Sequence, residues 1–168
     1  MPSAGFAPAA APDRAIVGPV FNSAGFQYWY LACFKDCIVA APQGIWDGLM
    51  LAMSNSVPPI FGLLGALIVA VASKRGQTLR QRIEAKLTNA PNSQLRMKPN
   101  TVHSVSQLRS ITFKGAKFAG ASAGALITPD IILETLSGKK YKFGVQGPDF
   151  AKATAQLTQM YPTLCKSV

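Results

Sequence analysis

Few residues in this 168-residue chain are of the types that carry out chemistry. The single histidine is His103, and the three cysteines are Cys33, Cys37 and Cys165. A metal site needs several nitrogen, oxygen or sulfur ligands that converge, whereas Cys33 and Cys37 lie four residues apart around an expected turn and Cys165 is remote. We therefore expect ordinary reduced thiols, a surface or half-buried histidine, and no metal or haem site.

Motifs for nucleophilic, acid/base and phosphate chemistry are equally sparse. His103 has no recognisable partner signature for nucleophilic catalysis, and the seven carboxylates include no close pair suited to acid/base work. The segment 62–65 (GLLG) is too apolar for a phosphate loop, and the pattern GxxxxGK[ST] does not occur. The sequence therefore predicts a protein that is not an enzyme and that binds no cofactor.

Basic side chains are in excess, with 17 lysines and arginines against seven acids and a formal net charge of +10. One cluster follows an apolar segment and suits an anionic membrane surface, where each cation contributes on the order of 1 kcal/mol. This cluster consists of Lys74, Arg75, Arg80, Arg82 and Lys86. A second cluster falls on expected strands and turns, where it either contacts an anion or a partner or forms a solvated sheet face. Its members are Lys114, Lys117, Lys139, Lys140 and Lys142.

The basic excess lies entirely in the second part of the chain. Residues 1–73 carry two cations and three acids, for a net charge of −1, while residues 74–168 carry fifteen cations and four acids, for a net charge of +11. The 26 residues from Gly48 to Ser73 carry no charge. An apolar run followed by cations is typical of a membrane segment with its basic end on the cytoplasmic side. A content of 49% hydrophobic but only 14% charged residues also argues against a freely soluble enzyme and against a disordered polyelectrolyte.

The uncharged segment leaves several arrangements open. Its strongly apolar part, 60–72, gives only about 20 Å of helix rise, which is short of a ~30 Å hydrocarbon core. A polar triplet at 54–56 and two prolines at 58–59 interrupt the rest. One kinked span, a re-entrant or interfacial segment and a helix buried in a protein complex all fit, and a core helix of a soluble protein is the fourth reading. Small residues at i, i+4 and i+8 (Gly62, Ala66, Ala70) favour close approach of a partner helix. The residues expected to face the membrane or a partner helix are Ile60, Phe61, Gly62, Leu63, Gly65, Ala66, Leu67, Val69 and Ala70.

Hydrophobic patterning predicts strands on both sides of this segment. Residues 26–32 and 37–41 are short apolar runs joined by a charged turn, which is typical of a β-hairpin. Residues 77–87 have helical spacing and continue out of the apolar segment. Further strands are expected at 107–113, 117–119, 125–128, 131–136 and 139–145, the last two joined by the turn Ser137-Gly138. Gly147-Pro148-Asp149 then opens a helix whose apolar stripe is Phe150, Ala153, Leu157 and Met160 or Tyr161.

These segments resemble a known family. The phrase YWYLACFKDCIVAAPQG resembles the opening hairpin of bacterial pleckstrin-homology-like and GRAM-like domains. SVSQLRSITF, ILETLSGKKYKFGV and DFAKATAQLTQMYP resemble the later strands and the closing helix of that fold. The resemblance implies an α+β fold, with a small antiparallel β-barrel or curved sheet closed by a C-terminal helix and one long apolar or amphipathic helix inserted. It also implies a scaffold that binds lipids, peptides or protein subunits without catalysis.

The expected organisation follows from this resemblance and from the charge pattern. An extended or disordered arm at 1–25 precedes the first hairpin at 26–44, and an apolar, membrane-associated helical insertion with a basic end follows at 45–88. A loop at 89–100, the remaining strands and closing helix at 101–161 and a tail at 162–168 complete the chain. If both parts of the sheet pair, both lie on one side of a bilayer. We therefore expect membrane attachment with the basic C-terminal domain on the cytoplasmic side.

The first functional hypothesis is a non-catalytic accessory or scaffold subunit of a larger membrane protein complex, such as an energy-transducing one, docked through the apolar helix and the N-terminal arm. The alternative is a peripheral module that binds anionic lipids or other anions at the bilayer by itself. A nucleic-acid-binding domain is a weaker alternative, because such modules interleave exposed aromatic residues with cations. Here Tyr141 and Phe143 alternate with Lys140 and Lys142 and are expected to point to the core.

Overall fold

The computed structural model describes residues 13–21, 27–44, 62–118 and 126–167. In these residues the strands are β1 (Arg14–Phe21), β2 (Tyr28–Phe34), β3 (Cys37–Pro42), β4 (Thr101–Ser104), β5 (Leu108–Lys114), β6 (Lys117–Phe118), β7 (Leu126–Ile127), β8 (Asp130–Thr135), β9 (Lys140–Val145) and β10 (Cys165–Ser167). The α-helices are α1 (Gly62–Asn89), α2 (Asn92–Leu95) and α3 (Gly147–Met160), and a short 3-10 helix spans Val105–Gln107.

Eight of the strands form one open, mixed sheet in the order β10-β5-β8-β9-β1-β2-β3-β4, and β6 pairs with β7 separately. Strand β10 runs parallel to β5, while the other neighbours are antiparallel. The predicted antiparallel β-barrel or curved antiparallel sheet is therefore wrong, because the sheet is mixed and not closed. The turn after Tyr161 brings β10 alongside β5, where the amide of Ile111 donates to the carbonyl of Leu164 at 2.8 Å. No local sequence pattern predicts the pairing of β10 with β5.

Strand β1 lies inside the region that we expected to be an extended or disordered arm. It pairs along most of its length with β2, from Arg14 opposite Phe34 to Phe21 opposite Tyr28, and its end also meets β9. The register shifts around Gly18, which has a φ of +152°. A Cβ atom at this position would lie 2.7 Å from the Tyr30 ring, so glycine is required there. The sheet is thus built around a strand from the N-terminal region.

Strands β2 and β3 confirm the predicted first hairpin, and they are buried on both faces. Leu31, Cys33 and Ile38 belong to the hydrophobic cluster that α3 covers. Their neighbours Tyr30, Ala32 and Val39 belong to a second cluster, which α1 covers through Ile83 and Leu87. Side chains alternate between the faces of a strand. Burial of both faces therefore explains why these strands are nearly continuous apolar runs.

The predicted second hairpin and closing helix are confirmed. Strands β8 and β9 pair from Asp130 opposite Gly144 to Glu134 opposite Lys140, and Gly138 takes a φ of +83° in the turn between them. Helix α3 begins at Gly147 and buries Ala153 and Leu157. The hydroxyl of Tyr161, just after α3, donates to the carbonyl of Phe34 at 2.6 Å and lies 3.3 Å from the carbonyl oxygen of Cys37. The Tyr161 side chain thus links the C-terminal end of α3 to the turn between β2 and β3.

Helix α1 has 28 residues and begins within the uncharged segment, at Gly62. None of the helices in the described residues combines the length and the apolarity that a bilayer crossing requires. The predicted long apolar helix is therefore wrong. The reason is local, because from Lys74 onwards nearly every turn of α1 carries a charged side chain.

Candidate functional site

The C-terminal end of α1 is held by a single arginine from β1. The Nη1 atom of Arg14 shares its two hydrogens among three carbonyl oxygens, those of Leu87 and Thr88 at 2.7 Å and that of Ala90 at 2.9 Å. Its Nη2 atom donates to Oδ1 of Asn92. A helix C-terminus presents carbonyls without intrahelical partners and a partial negative charge, both of which a guanidinium satisfies. Arg14 thus fixes α1 against the sheet.

A second arginine links α1 to α3. Arg80 donates to the carboxylate of Asp149 and to the amide oxygen of Gln146, both at 2.9 Å. The side chains of Arg80 and Asp149 are only 21% and 25% exposed. Arg80 was predicted to be one of the membrane-surface cations, but the structure places it between the two helices. Its charge is matched inside the protein.

The other four predicted cations of this cluster, Lys74, Arg75, Arg82 and Lys86, are exposed. At 100° per residue, Arg75, Arg82 and Lys86 fall within about 40° of one another around α1. Lys98, from the segment after α2, lies with Arg82 and Lys86 around one groove. We call these five residues the basic flank. In the described part of the chain, no carboxylate forms an ion pair with any of them.

The basic flank borders two adjoining depressions. The larger, of about 740 Å³, lies between α1 and the segment 89–100, with Ile83, Leu87 and Leu95 on its apolar side and Arg82 and Lys86 among its polar lining. The smaller, of about 400 Å³, continues along α1 past Arg82 to Lys74, Arg75 and Thr78. Among the described residues, no acid lines either depression. This surface is therefore suited to phosphate or carboxylate groups that carry apolar chains.

The acids are engaged elsewhere in the fold. Glu84, the acid of α1, lies toward the sheet near Tyr30, where burial first and then the Glu84 carboxylate raise the pKa of the phenol. The other five acids of the described residues form ion pairs: Asp13 with Lys35, Asp36 with Arg96, Asp130 with Lys142, Glu134 with Arg109 and Lys140, and Asp149 with Arg80.

The second predicted basic cluster is not a single patch of free charge. Lys140 lies 3.7 Å from Glu134, and Lys142 lies 3.0 Å from Asp130. The ammonium of Lys139 lies 4.8 Å from the centroid of the Tyr141 ring. Lys114 is exposed, and the side chain of Lys117 lies outside the described residues. Of the residues predicted to face a membrane or partner helix, Ile60 and Phe61 also lie outside them, as do the side chains of 62–73.

A cleft that the sequence did not predict lies between β9 and the edge strand β4. It has a volume of about 360 Å³, and its walls include Trp29, His103 and Tyr141. The rings of His103 and Tyr141 meet edge to face with centroids 4.3 Å apart. His103, which we expected to be half-buried or on the surface, is buried, and burial, followed by the charge of Lys139, lowers its pKa. We call this the strand cleft.

None of the three cysteines lines the basic flank or the strand cleft. Cys33 and Cys37 are buried, Cys165 is half-buried, and all three are free thiols. Burial raises the pKa of Cys33 to about 12, and it also raises the pKa values of Cys37 and Cys165. The thiolate is the reactive form of cysteine. Within the part of the chain that the structure describes, no group of three metal-ligating side chains comes together.

The sequence contained a signal for the limits of the basic flank but none for the strand cleft. Arg80 lies seven residues before Leu87, which places the two about 20° apart around a helix and so on the same, sheet-facing side. That spacing would have separated Arg80 from the basic flank. The strand cleft has no such signal, because Trp29, His103 and Tyr141 meet only through the path of the sheet.

No protein-family model, curated protein or solved structure matches the chain. The resemblance to pleckstrin-homology-like domains thus has no counterpart in these comparisons. The residues of the basic flank and of the strand cleft provide the evidence on function.

Proposed function

We propose that the protein is a non-catalytic, membrane-associated module whose basic flank binds the anionic headgroups of a lipid bilayer, with the domain on the cytoplasmic side. One observation carries this proposal. Five cations on and beside the outer side of α1 lack a carboxylate partner in the described residues, although five of the six described acids are paired elsewhere. The uncharged segment Gly48–Ser73 leads directly into that surface.

The energetics suit reversible attachment. A cation near an anionic leaflet contributes on the order of 1 kcal/mol, and the attraction falls off within a Debye length. Five such cations give on the order of 5 kcal/mol before apolar contacts are counted. The apolar lining formed by Ile83, Leu87 and Leu95 offers room for an acyl chain beside the charges. Binding is therefore expected to weaken steeply as salt is raised.

Co-sedimentation of the full chain with vesicles tests this proposal. Phosphatidylcholine vesicles are compared with vesicles that also contain phosphatidylserine, at low and high salt. The triple variant Arg75→Gln/Arg82→Gln/Lys86→Gln should bind the anionic vesicles about 100-fold more weakly, from roughly 1 kcal/mol per cation. The matched control is Lys114→Gln/Lys152→Gln/Lys166→Gln, which removes the same charge from exposed sites elsewhere.

The control should retain most of the affinity. Equal losses in both triple variants would mean that net charge alone governs binding, and the basic flank would then have no special role. Tighter binding to an oligonucleotide than to anionic vesicles would replace the proposal with a nucleic-acid function.

A second candidate is an accessory subunit of a larger membrane protein complex, such as an energy-transducing one. It is favoured by the continuity of α1, which begins inside the uncharged segment and runs without a break to the part packed on the sheet. Docking would use the apolar residues of this segment and the N-terminal region. Capture from membranes in a mild detergent, followed by mass spectrometry, tests it.

The variant Ala66→Leu enlarges the series Gly62, Ala66 and Ala70, and should release a helical partner. Ala72→Leu makes the same change outside that series and should not. If no stoichiometric partner co-purifies with the full chain, the protein acts at the bilayer alone.

A further inference from the structure

The strand cleft exists because the sheet bends without closing. Strands β9 and β4 are separated by β1, β2 and β3 in the sheet order. In a flat sheet that separation would be about 19 Å, at roughly 4.8 Å per strand. The ring centroids of His103 on β4 and Tyr141 on β9 are nevertheless only 4.3 Å apart. The two strands therefore face each other across a gap that no described backbone pairing fills.

The walls of the gap are aromatic. Trp29, His103, Tyr141 and Phe143 all line it, together with the small side chain of Ala40. A volume of about 360 Å³ lies at the lower end of the range for small-molecule sites. Rings in this arrangement favour a flat ligand, which can stack or meet their edges.

One donor in this wall lacks an acceptor. The Nε1 atom of Trp29 is shielded from solvent and has no hydrogen-bond partner in the described residues. A shielded N–H group without an acceptor is unfavourable. A carbonyl or carboxylate oxygen of a ligand that reaches this atom from the cleft would satisfy it.

The charges at the rim favour an anion. The ammonium groups of Lys140 and Lys142 are matched by Glu134 and Asp130. Lys139 has no carboxylate partner among the described residues and lies over the Tyr141 ring. Lys139 therefore leaves a positive charge without a described carboxylate partner close to the rings of Tyr141 and His103, which suits a carboxylate.

We propose that the strand cleft binds a small aromatic carboxylate, with its ring among Trp29, His103 and Tyr141, an oxygen accepting the indole N–H of Trp29, and its charge facing Lys139. This site is separate from the basic flank and does not depend on the membrane proposal. It assigns to the protein a ligand of defined chemistry in addition to a surface for anions.

Benzoate is the probe for this site, with benzamide as its neutral analogue and cyclohexanecarboxylate as its non-planar one. The variant Trp46→Phe leaves Trp29 as the single tryptophan of the chain, so the quenching of its fluorescence reports on the cleft. Benzoate should bind saturably, and both analogues should bind about tenfold more weakly or worse, as expected for loss of a charged hydrogen bond or of ring contact.

Variants identify the site by calorimetry or saturation-transfer NMR. Trp29→Phe keeps a ring but removes the N–H group, and Lys139→Gln removes the rim charge. Each should weaken benzoate binding by roughly tenfold, whereas Lys152→Gln and the triple variant Arg75→Gln/Arg82→Gln/Lys86→Gln should leave it unchanged. Absence of saturable benzoate binding, or binding that is indifferent to Trp29→Phe and Lys139→Gln, would overturn the proposal.

Discussion

The basic flank of α1 and the lysines of the β9 region, Lys139, Lys140 and Lys142, are similar in composition but different in electrostatics. Two of the three β9 lysines have a carboxylate partner on β8, at 3.0 and 3.7 Å. In the described residues, the five cations of the basic flank have none. Side chains on neighbouring strands lie opposite each other at short range. Among the elements that the structure describes, none of that kind lies beside the outer side of α1.

This difference shows how a fold pairs some of an excess of basic residues with acids and leaves others unpaired at one surface. A lysine that forms an ion pair with an acid on the neighbouring strand has its charge largely neutralised. Surface ion pairs of that kind add little stability. A charge on the solvent side of a helix stays available for an external anion. Under the proposed function, the location of a partner on the next element, and not the number of cations, decides which region is available to an external anion.

Adding a carboxylate next to the basic flank should make its cations resemble the paired lysines of the β9 region. Thr78 is exposed on α1, one turn from both Lys74 and Arg82. The variant Thr78→Glu therefore places a carboxylate at i−4 and i+4 from two cations of the basic flank, within pairing range. Affinity for phosphatidylserine vesicles should fall about five- to tenfold, as measured by co-sedimentation. Thr78→Gln keeps a similar size without charge, and an equal loss in that variant would show that shape, not charge, was responsible.

Arg80 and Arg82 lie two residues apart on α1 and differ in the same way: Arg80 has a carboxylate partner inside the protein, whereas Arg82 belongs to the basic flank. Arg80→Gln leaves Asp149 without its partner in a partly buried position, so the free energy of unfolding should fall by about 1–2 kcal/mol. Arg82→Gln should change it by less than about 0.5 kcal/mol. Urea denaturation measures both.

Vesicle binding should show the opposite order for the same two variants. Arg82→Gln should weaken binding about fivefold, from roughly 1 kcal/mol per cation, and Arg80→Gln should leave it nearly unchanged. If both arginines affect binding equally, the division of the predicted cluster into an inner and an outer part is wrong.

Removing a carboxylate partner from the lysines of the β9 region should increase the affinity for anionic vesicles. Glu134 lies 3.6 Å from Arg109 and 3.7 Å from Lys140. Glu134→Gln frees both cations, and affinity for anionic vesicles should rise about two- to threefold, since exposed charges are largely screened. In the double variant Glu134→Gln/Lys140→Gln the net charge returns to its original value, and the gain should disappear. A gain that persists in the double variant would contradict this account.

The parts of the fold that the sequence predicted are those determined over short distances. The hairpin β8–β9 and helix α3 follow from alternation, a glycine turn and a Pro-initiated helical stripe. Strand β1 was missed because its alternation sits in a region rich in alanine, proline and glycine, and because its stability comes from pairing with β2. Strand β10 was missed because three residues gain their conformation only from the edge of β5.

The candidate surfaces also differ in how far they could be predicted: the basic flank depends on short-range spacing, and the strand cleft depends on distant parts of the chain. Four of the five predicted membrane-surface cations lie exposed on α1, since helical spacing alone brings them there. Arg80 departs from them because its partner, Asp149, comes from a helix 69 positions away in the chain. The strand cleft depends on the bend of the whole sheet, so the contact between His103 and Tyr141 could not be inferred from local pattern.

The smallest expected effect concerns the pH dependence of His103. Burial, and then the charge of Lys139, lower the pKa of this histidine below its ordinary value of 6.5. Between the folded and unfolded pKa values the unfolded chain binds more protons, so the free energy of unfolding increases with pH there. This contribution is fully present above about pH 6.5 and is lost as the pH falls through the folded-state pKa.

Since the chain has one histidine, a single imidazole resonance in a proton NMR titration reports this pKa directly. Lys139→Gln should move it up toward 6.5 because the repelling charge is removed, whereas Lys140→Gln, whose charge is matched by Glu134, should move it less. The slope of stability between pH 7 and pH 5.5 should shrink accordingly, by less than about 1 kcal/mol. If the two lysine variants shift the resonance equally, ion pairing with β8 does not distinguish the charges of this region, and the contrast with the basic flank would lose its physical basis.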